Sequence, residues 1–120
     1  MANPKILICH DEEALRESLK LILADHYELI VVDSADMAVE VLSHAKDIKI
    51  TLLDIKMPLT NGLDVLKEIK KNSPHVKIIM VSGYESQTTA AQANRLSISG
   101  YIAKPFKSQD ILDTVKKNLA

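Results

Sequence analysis

The stretch Ile48–Pro58 constrains the fold most, because a short apolar run there is followed at once by an aspartate and then by a proline. The run contains the branched residues Ile50, Leu52 and Leu53. A run this short and this rich in branched side chains predicts a buried strand of a parallel sheet rather than a helix. Asp54 then stands at the carboxyl end of that strand. In open α/β sheets, ligands bind at that end of the strands, so Asp54 is a candidate functional residue.

Apolar runs alternate with segments of helical periodicity along the whole chain. Besides the run that ends at Leu53, four runs predict strands, at Lys5–Cys9, Glu28–Asp33, Val76–Val81 and Ile98–Ala103. The predicted helices run over Glu12–Ala24, from the cap Ser34 to Ala45, across Leu63, Leu66 and Ile69 up to Asn72, over Glu85–Leu96, and from the cap Ser108 to Leu119. The fourth of these has few apolar residues and is expected to be the least stable.

Five strands that alternate with five helices predict an α/β fold, in which a doubly wound parallel sheet is covered by helices on both faces. Right-handed crossovers between parallel strands leave few other topologies. A length of 120 residues suits one core, so residues 1–120 are expected to form a single domain.

Composition argues against several classes of function. The formal net charge is −1 and there is no basic tract, so direct binding of nucleic acid is not expected. Cys9 is the only cysteine, which rules out an internal disulfide and, as a buried thiol, favours a reducing compartment. We find no charged-then-apolar leader and no apolar stretch long enough to cross a bilayer. We therefore expect a cytoplasmic protein without membrane contact.

The predicted carboxyl ends of the strands bring together side chains of complementary chemistry. They are His10 and Asp11 from the first strand, Asp54 from the third, Ser82 from the fourth and Lys104 from the fifth. Two neighbouring carboxylates attract a hard cation such as Mg²⁺, and a carboxylate can itself attack phosphorus. A hydroxyl and an ammonium group can bind phosphoryl oxygens. These residues predict a site that accepts a phosphoryl group.

Several short motifs, in this order and at these spacings, resemble the receiver domain of two-component response regulators over essentially the whole chain. The motifs are Ile6-Leu7-Ile8 before an acidic cluster, Asp54-Ile55-Lys56-Met57-Pro58, Asn61-Gly62, Val81-Ser82-Gly83 and Tyr101-Ile102-Ala103-Lys104-Pro105-Phe106. The resemblance implies the flavodoxin-like strand order 2-1-3-4-5. It also implies a signalling domain rather than an enzyme.

The resemblance implies roles for the residues around Asp54. Asp54 resembles the phosphoacceptor, which receives phosphate from a histidine kinase or a phosphotransfer protein. Asp11 resembles the carboxylate that binds Mg²⁺ or Mn²⁺ together with Asp54, and Lys56 resembles the residue whose backbone carbonyl completes the metal site. The side chains of Lys56 and Tyr84 would tune the lifetime of the aspartyl phosphate.

The resemblance further implies how phosphorylation is transmitted. Ser82 resembles the hydroxyl that follows the phosphoryl group, Tyr101 the aromatic switch residue, and Lys104 the site cation, joined to Pro105 by a cis bond. The change would be read on the face made of the fourth predicted helix, the fifth strand and the last helix. A downstream output domain or partner protein is then expected, and a homodimer through the last strand and helix stays open.

His10 departs from the family pattern, in which an acidic residue usually stands at this position and holds a metal-bound water. Imidazole removes one negative charge from the cation site and prefers softer metals than Mg²⁺. Because Asp11 and Asp54 remain, we expect weakened but not abolished Mg²⁺ binding and slower phosphorylation. Two alternatives stay open: His10 makes the site pH-dependent, or it is a loop histidine without a chemical role.

Two other functions compete with that of a phosphoacceptor. One is a receiver-like interaction domain that works without phosphorylation, its metal site weakened by His10. The other is a small phosphohydrolase with an aspartate nucleophile, which is disfavoured because Lys56 stands two residues after Asp54, where such an enzyme has its general acid. Flavin binding is disfavoured because the loop after the first strand is acidic.

Overall fold

The computed structural model describes residues 4–10, 12–53, 62–83 and 98–119, with only the backbone for Ala35, residues 62–66, Ser82, Gly83 and Ala103. The strands are β1 (Lys5–Cys9), β2 (Glu28–Val32), β3 (Ile48–Leu53), β4 (Lys77–Gly83) and β5 (Gly100–Lys104), and the helices are α1 (Glu13–Leu23), α2 (Ala35–His44), α3 (Gly62–Asn72) and α4 (Ser108–Leu119). All strand pairs are parallel, in the order β2-β1-β3-β4-β5. The predicted fold class and strand order are therefore confirmed. The helix predicted over Glu85–Leu96 lies outside the described residues.

The sheet has an aliphatic core on each face. Alternate residues of β1 point to opposite faces, so that Leu7 belongs to one core and Ile8 to the other. The Leu7 side packs against α2 and α3, and the Ile8 side packs against α1 and α4. Strands buried on both faces need apolar side chains in both directions, which is why the central strand β1 is a continuous apolar run from Ile6 to Cys9.

Two helix starts test the predicted caps. The Ser34 hydroxyl accepts a hydrogen bond from the Met37 backbone N–H (3.3 Å), which confirms the cap of α2. The cap predicted for the last helix is wrong, because Ser108 is already its first helical residue. There the Asp110 carboxylate accepts a hydrogen bond from the Lys107 backbone N–H (3.2 Å). This contact satisfies the amino end of α4 from inside the helix, as the acidic partner of a capping box does.

β5 begins at Gly100, two residues later than predicted, and packs tightly against α4. A Cβ atom on Gly100 would lie 3.1 Å from Cγ2 of Thr114, so the strand and the helix approach closely only because the side chain is absent. The Lys77 ammonium donates a hydrogen bond to the Asn118 carbonyl (2.8 Å), close to the carboxyl end of α4. A cation in that position stabilises the negative end of the helix dipole.

Thr51 places a hydroxyl inside the sheet. It lies between Leu7 of β1 and Ile78 of β4 and is fully buried. Within the part of the chain that the structure describes, its Oγ1 atom has no hydrogen-bond partner. A buried hydroxyl that has lost its water without gaining a partner destabilises the folded state.

We therefore expect Thr51→Val to raise the free energy of unfolding by about 1 kcal/mol, because valine keeps the shape and removes the unpaired hydroxyl. Urea denaturation measures the change. Thr51→Ser is the matched control, since it keeps the hydroxyl and loses a buried methyl group, and it should lower the stability. A Thr51→Val protein less stable than the parent would show that the hydroxyl has a partner.

We expect Gly100→Ala to lower the free energy of unfolding by about 1 kcal/mol, because the new methyl group meets a stiff β-branched side chain of α4. Thr114→Ser removes the opposing methyl group, so the double variant should recover most of the loss. The coupling energy from the double-mutant cycle in urea is the measurement. Full additivity of the two substitutions would contradict the close contact.

Candidate functional site

The topological switch point of the sheet lies between β1 and β3. From these two neighbouring strands the chain continues to β2 on one side and to β4 on the other. At their carboxyl ends Cys9 pairs with Leu53. The next residues in the chain are His10 and Asp54, so the candidate nucleophile is attached to the strand end at which doubly wound sheets bind ligands.

The carboxyl ends of β4 and β5 lie on the same edge of the sheet. Ser82 pairs with Ala103, and Gly83 pairs with Lys104, the last residue of β5. Lys104 is half-buried. The Lys104–Pro105 peptide bond is cis, as the resemblance implies.

His10 is fully buried although it follows the end of β1. Its backbone N–H donates to the Val32 carbonyl (3.3 Å), which extends the β1–β2 ladder by one residue. Burial does not decide between a functional replacement and a loop histidine without a chemical role, and both interpretations stay open. The sequence did not predict this burial because polar residues surround His10 in the chain, and the ladder partner comes from a distant strand.

Arg16 is a residue of this edge that the sequence analysis missed. It is half-buried in the first half of α1, and its Nη1 atom donates to the carbonyl of His10 at 2.8 Å. The sequence carried no signal for this contact, because the acceptor is a backbone carbonyl and not a side chain.

Tyr101 lies near the exposed margin of the sheet. It is half-buried, pairs with Met80 of β4 and packs against the core cluster on the Leu7 side. Tyr101 also lines a surface groove of about 390 Å³, together with Asp113 and Thr114 of α4. The predicted switch aromatic therefore lies where β5 meets the last helix.

Four of the predicted site residues lie outside the described residues, namely Asp11, Asp54, Lys56 and Tyr84. Among the side chains that the structure describes, no three of the types His, Cys, Asp and Glu are grouped closely enough to hold a metal ion.

At the opposite, amino edge of the sheet, an ion pair shifts the pKa values of a lysine and an aspartate. The Lys5 ammonium lies 2.7 Å from the Asp47 carboxylate. This hydrogen bond and the opposite charge raise the pKa of Lys5, and the same hydrogen bond lowers the pKa of Asp47. Both groups are exposed, so solvent screening makes the pair a minor term in stability.

Comparison with known proteins settles the family. Residues 6–116 match the sequence profile of the response regulator receiver domain. The chain belongs to this family. Receiver domains are signalling domains of two-component systems and generally bind Mg²⁺ for phosphorylation.

Alignments with individual relatives extend over almost the whole length of this receiver domain. Response regulator protein FleR of Pseudomonas aeruginosa is 33% identical over 116 residues, which make up 95% of this chain and 24% of FleR. Chemotaxis protein CheY of Thermotoga maritima is also 33% identical, over 94% of this chain and 95% of CheY. The crystal structure of a CheY-like receiver domain protein from Methanospirillum hungatei superposes with a TM-score of 0.91 at 30% identity, over 98% of this chain and 94% of that one.

The receiver domain corresponds to only part of several relatives. It spans 24%, 51% and 23% of the length of three curated relatives. Within the described ranges, no helix is both long and apolar enough to span a bilayer.

Proposed function

We propose that this receiver domain accepts a phosphoryl group on Asp54 and transmits the change to the face that contains β5 and α4. The observation that carries the proposal is the register at the switch point, where Cys9 pairs with Leu53 and Asp54 is the next residue in the chain. The parallel ladders then bring the ends of β1, β4 and β5 to the same edge. Membership of the receiver family supports the same reading.

In the proposed transfer, a carboxylate oxygen of Asp54 attacks the phosphorus atom of a phosphohistidine on a histidine kinase or phosphotransfer protein. The new oxygen–phosphorus bond forms as the phosphorus–nitrogen bond breaks. The electron pair of the broken bond stays on the leaving imidazole nitrogen, and the product on this chain is an aspartyl phosphate. The step is stoichiometric, so the domain acts as a signalling component and not as a turnover enzyme.

The donor set fits Mg²⁺. The sequence attaches Asp11 and Asp54 close to the ends of the neighbouring strands β1 and β3, and carboxylate and carbonyl oxygens are the donors that this cation prefers. Asp11, Asp54 and the backbone carbonyl of Lys56 would hold the ion. When bound, it neutralises negative charge on the phosphoryl oxygens. His10 contributes no negative charge here, so we expect weaker binding than in a receiver with an acidic residue at this position.

Two residues at the ends of β4 and β5 complete the proposed acceptor site. The Ser82 hydroxyl would donate a hydrogen bond to one phosphoryl oxygen, and the Lys104 ammonium would neutralise another. The half-buried Tyr101 lies on the border between β5 and α4, a position from which a small shift of β4 could change its packing. Lys56 and Tyr84 would control access of water to the aspartyl phosphate.

A second candidate is a receiver domain that binds its partner without phosphorylation. The observation that favours it is His10, whose fully buried ring occupies the position at which the family usually has an acidic side chain. Residues 1–120 are proposed to form one domain in either case, with an output domain or a separate protein as the partner that reads the signal.

Incubation with acetyl phosphate and Mg²⁺ tests the phosphoacceptor. We expect the intact mass to rise by one phosphoryl group, and we expect no rise with Asp54→Ala or after chelation of the metal. Asp33→Asn is the matched control, because Asp33 also directly follows a strand of the same sheet, and it should be phosphorylated normally. A parent protein that never gains phosphate would exclude the phosphoacceptor and favour the phosphorylation-independent domain.

Replacing His10 by aspartate tests the expectation that the missing negative charge weakens Mg²⁺ binding. We expect His10→Asp to bind Mg²⁺ roughly ten-fold more tightly, because it adds a negative charge near a divalent cation. Without metal it should be less stable by about 1–3 kcal/mol, since the carboxylate takes a buried position. Calorimetric titration and urea denaturation give the two quantities. His10→Asn, which is polar but neutral, should not tighten binding, and equal affinities for all three proteins would remove the idea.

A further inference from the structure

An open groove of about 400 Å³ lies between the α1–β2 turn and the last helix, α4. His26 and Tyr27 of the turn line one side, and Leu112, Asp113 and Lys116 of α4 line the other. Tyr27 and Leu112 are half-buried, whereas the other three side chains are exposed. The groove therefore combines half-buried apolar side chains with exposed polar and charged ones.

The core on the Ile8 side is not fully closed between α1 and α4. Tyr27 and Leu112 pack against that core, as do Ile22 of α1 and Leu119 of α4, and all four side chains are only partly buried. Covering such side chains is favourable, because it removes apolar area from water. The groove therefore offers apolar area to a second protein surface.

Asp113 and Lys116 carry opposite charges but do not pair with each other. They are three residues apart on α4, the spacing at which Glu17 and Lys20 of α1 form an ion pair at 3.2 Å. The Asp113 carboxylate instead accepts a hydrogen bond from the Gln109 side-chain amide at 2.7 Å. Neither Asp113 nor Lys116 forms an ion pair with any residue that the structure describes. Both charges of the groove thus remain available to a partner.

This charge pattern is complementary to itself. Residues three apart on a helix are separated by about 4.5 Å along its axis. When two copies of α4 run antiparallel about a two-fold axis that passes midway between Asp113 and Lys116, each Asp113 faces the Lys116 of the other copy. Both contacts then form at once. A uniformly acidic or basic partner would instead meet one favourable and one unfavourable charge, so charge complementarity favours a second copy of this chain.

We propose that this groove is the contact surface of a symmetric homodimer, in which α4 packs against α4 of a second copy and Asp113 pairs with its Lys116. The inference does not depend on phosphorylation of Asp54. The groove beside Tyr101 is a different one, although Asp113 borders both. An interface centred on one helix is small, so we expect a weak dimer, with a dissociation constant of roughly 10–100 μM.

The test is analytical ultracentrifugation of the whole chain over a concentration series that reaches about 1 mM, well above the expected dissociation constant. We expect the average mass to rise from that of one chain toward that of two. Asp113→Lys and Lys116→Glu each place like charges at both contacts, and each should weaken the dimer at least about ten-fold. High salt should also weaken the parent dimer, because exposed ion pairs are screened.

An equimolar mixture of the two variants should dimerise again, because both contacts between Asp113→Lys and Lys116→Glu chains join opposite charges. Lys71→Glu is the matched control, since it makes the same charge change at an exposed position of α3, on the other side of the sheet, and it should leave dimerisation unchanged. Urea denaturation shows whether each variant is folded. If one reversal does not fold, the other alone still tests the interface.

The outcomes decide between this dimer and its alternatives. A parent chain that stays monomeric at every concentration would overturn the proposal and leave the groove to a different partner. A dimer that survives both charge reversals would lie on another surface and would overturn it as well. Loss of the dimer in each folded single variant, with recovery in the mixture and no change in Lys71→Glu, supports the proposed interface.

Discussion

The parallel pairing of β1 with β3 is the constraint on which the rest of the molecule depends. These strands form the centre of the sheet, are buried on both faces and end together, with Cys9 opposite Leu53. A slip of one residue in this register would exchange the two core faces, so the apolar side chains fix it strongly. The positions at which β1 and β3 end are consequences of core packing. The proposed chemistry thus relies on aliphatic side chains that take no part in it.

Much of the architecture could be predicted because strands that are buried on both faces of a sheet are recognisable in the sequence by their apolar side chains. A central parallel strand must be apolar at nearly every position, and β1 and β3 are recognisable for that reason. The Ser34 cap was predictable because a serine that precedes a helix satisfies a backbone N–H locally. Features that depend on one neighbour in the chain were therefore the easiest to predict.

The errors occurred where a distant partner decides the structure. β5 begins at Gly100, two residues later than predicted, where it packs closely against Thr114 of α4, a residue distant in the chain. His10 is buried through a ladder bond to β2, and Arg16 reaches a carbonyl six residues earlier in the chain. None of these partners lies in a local pattern. The candidate residues could be inferred from strand ends, whereas the contacts of the His10 backbone required coordinates.

The close packing of α4 on β5 limits how this helix can move. The methyl group of Thr114 packs against Gly100 so closely that a side chain on Gly100 would collide with it. The Lys77 ammonium of β4 donates a hydrogen bond to the Asn118 carbonyl near the carboxyl end of the helix. The helix is therefore fastened to two different strands at the amino edge of the sheet, far from Lys104. Any rearrangement that begins at the opposite edge would pivot the helix about this fixed end, so the largest displacement would fall on its first turn.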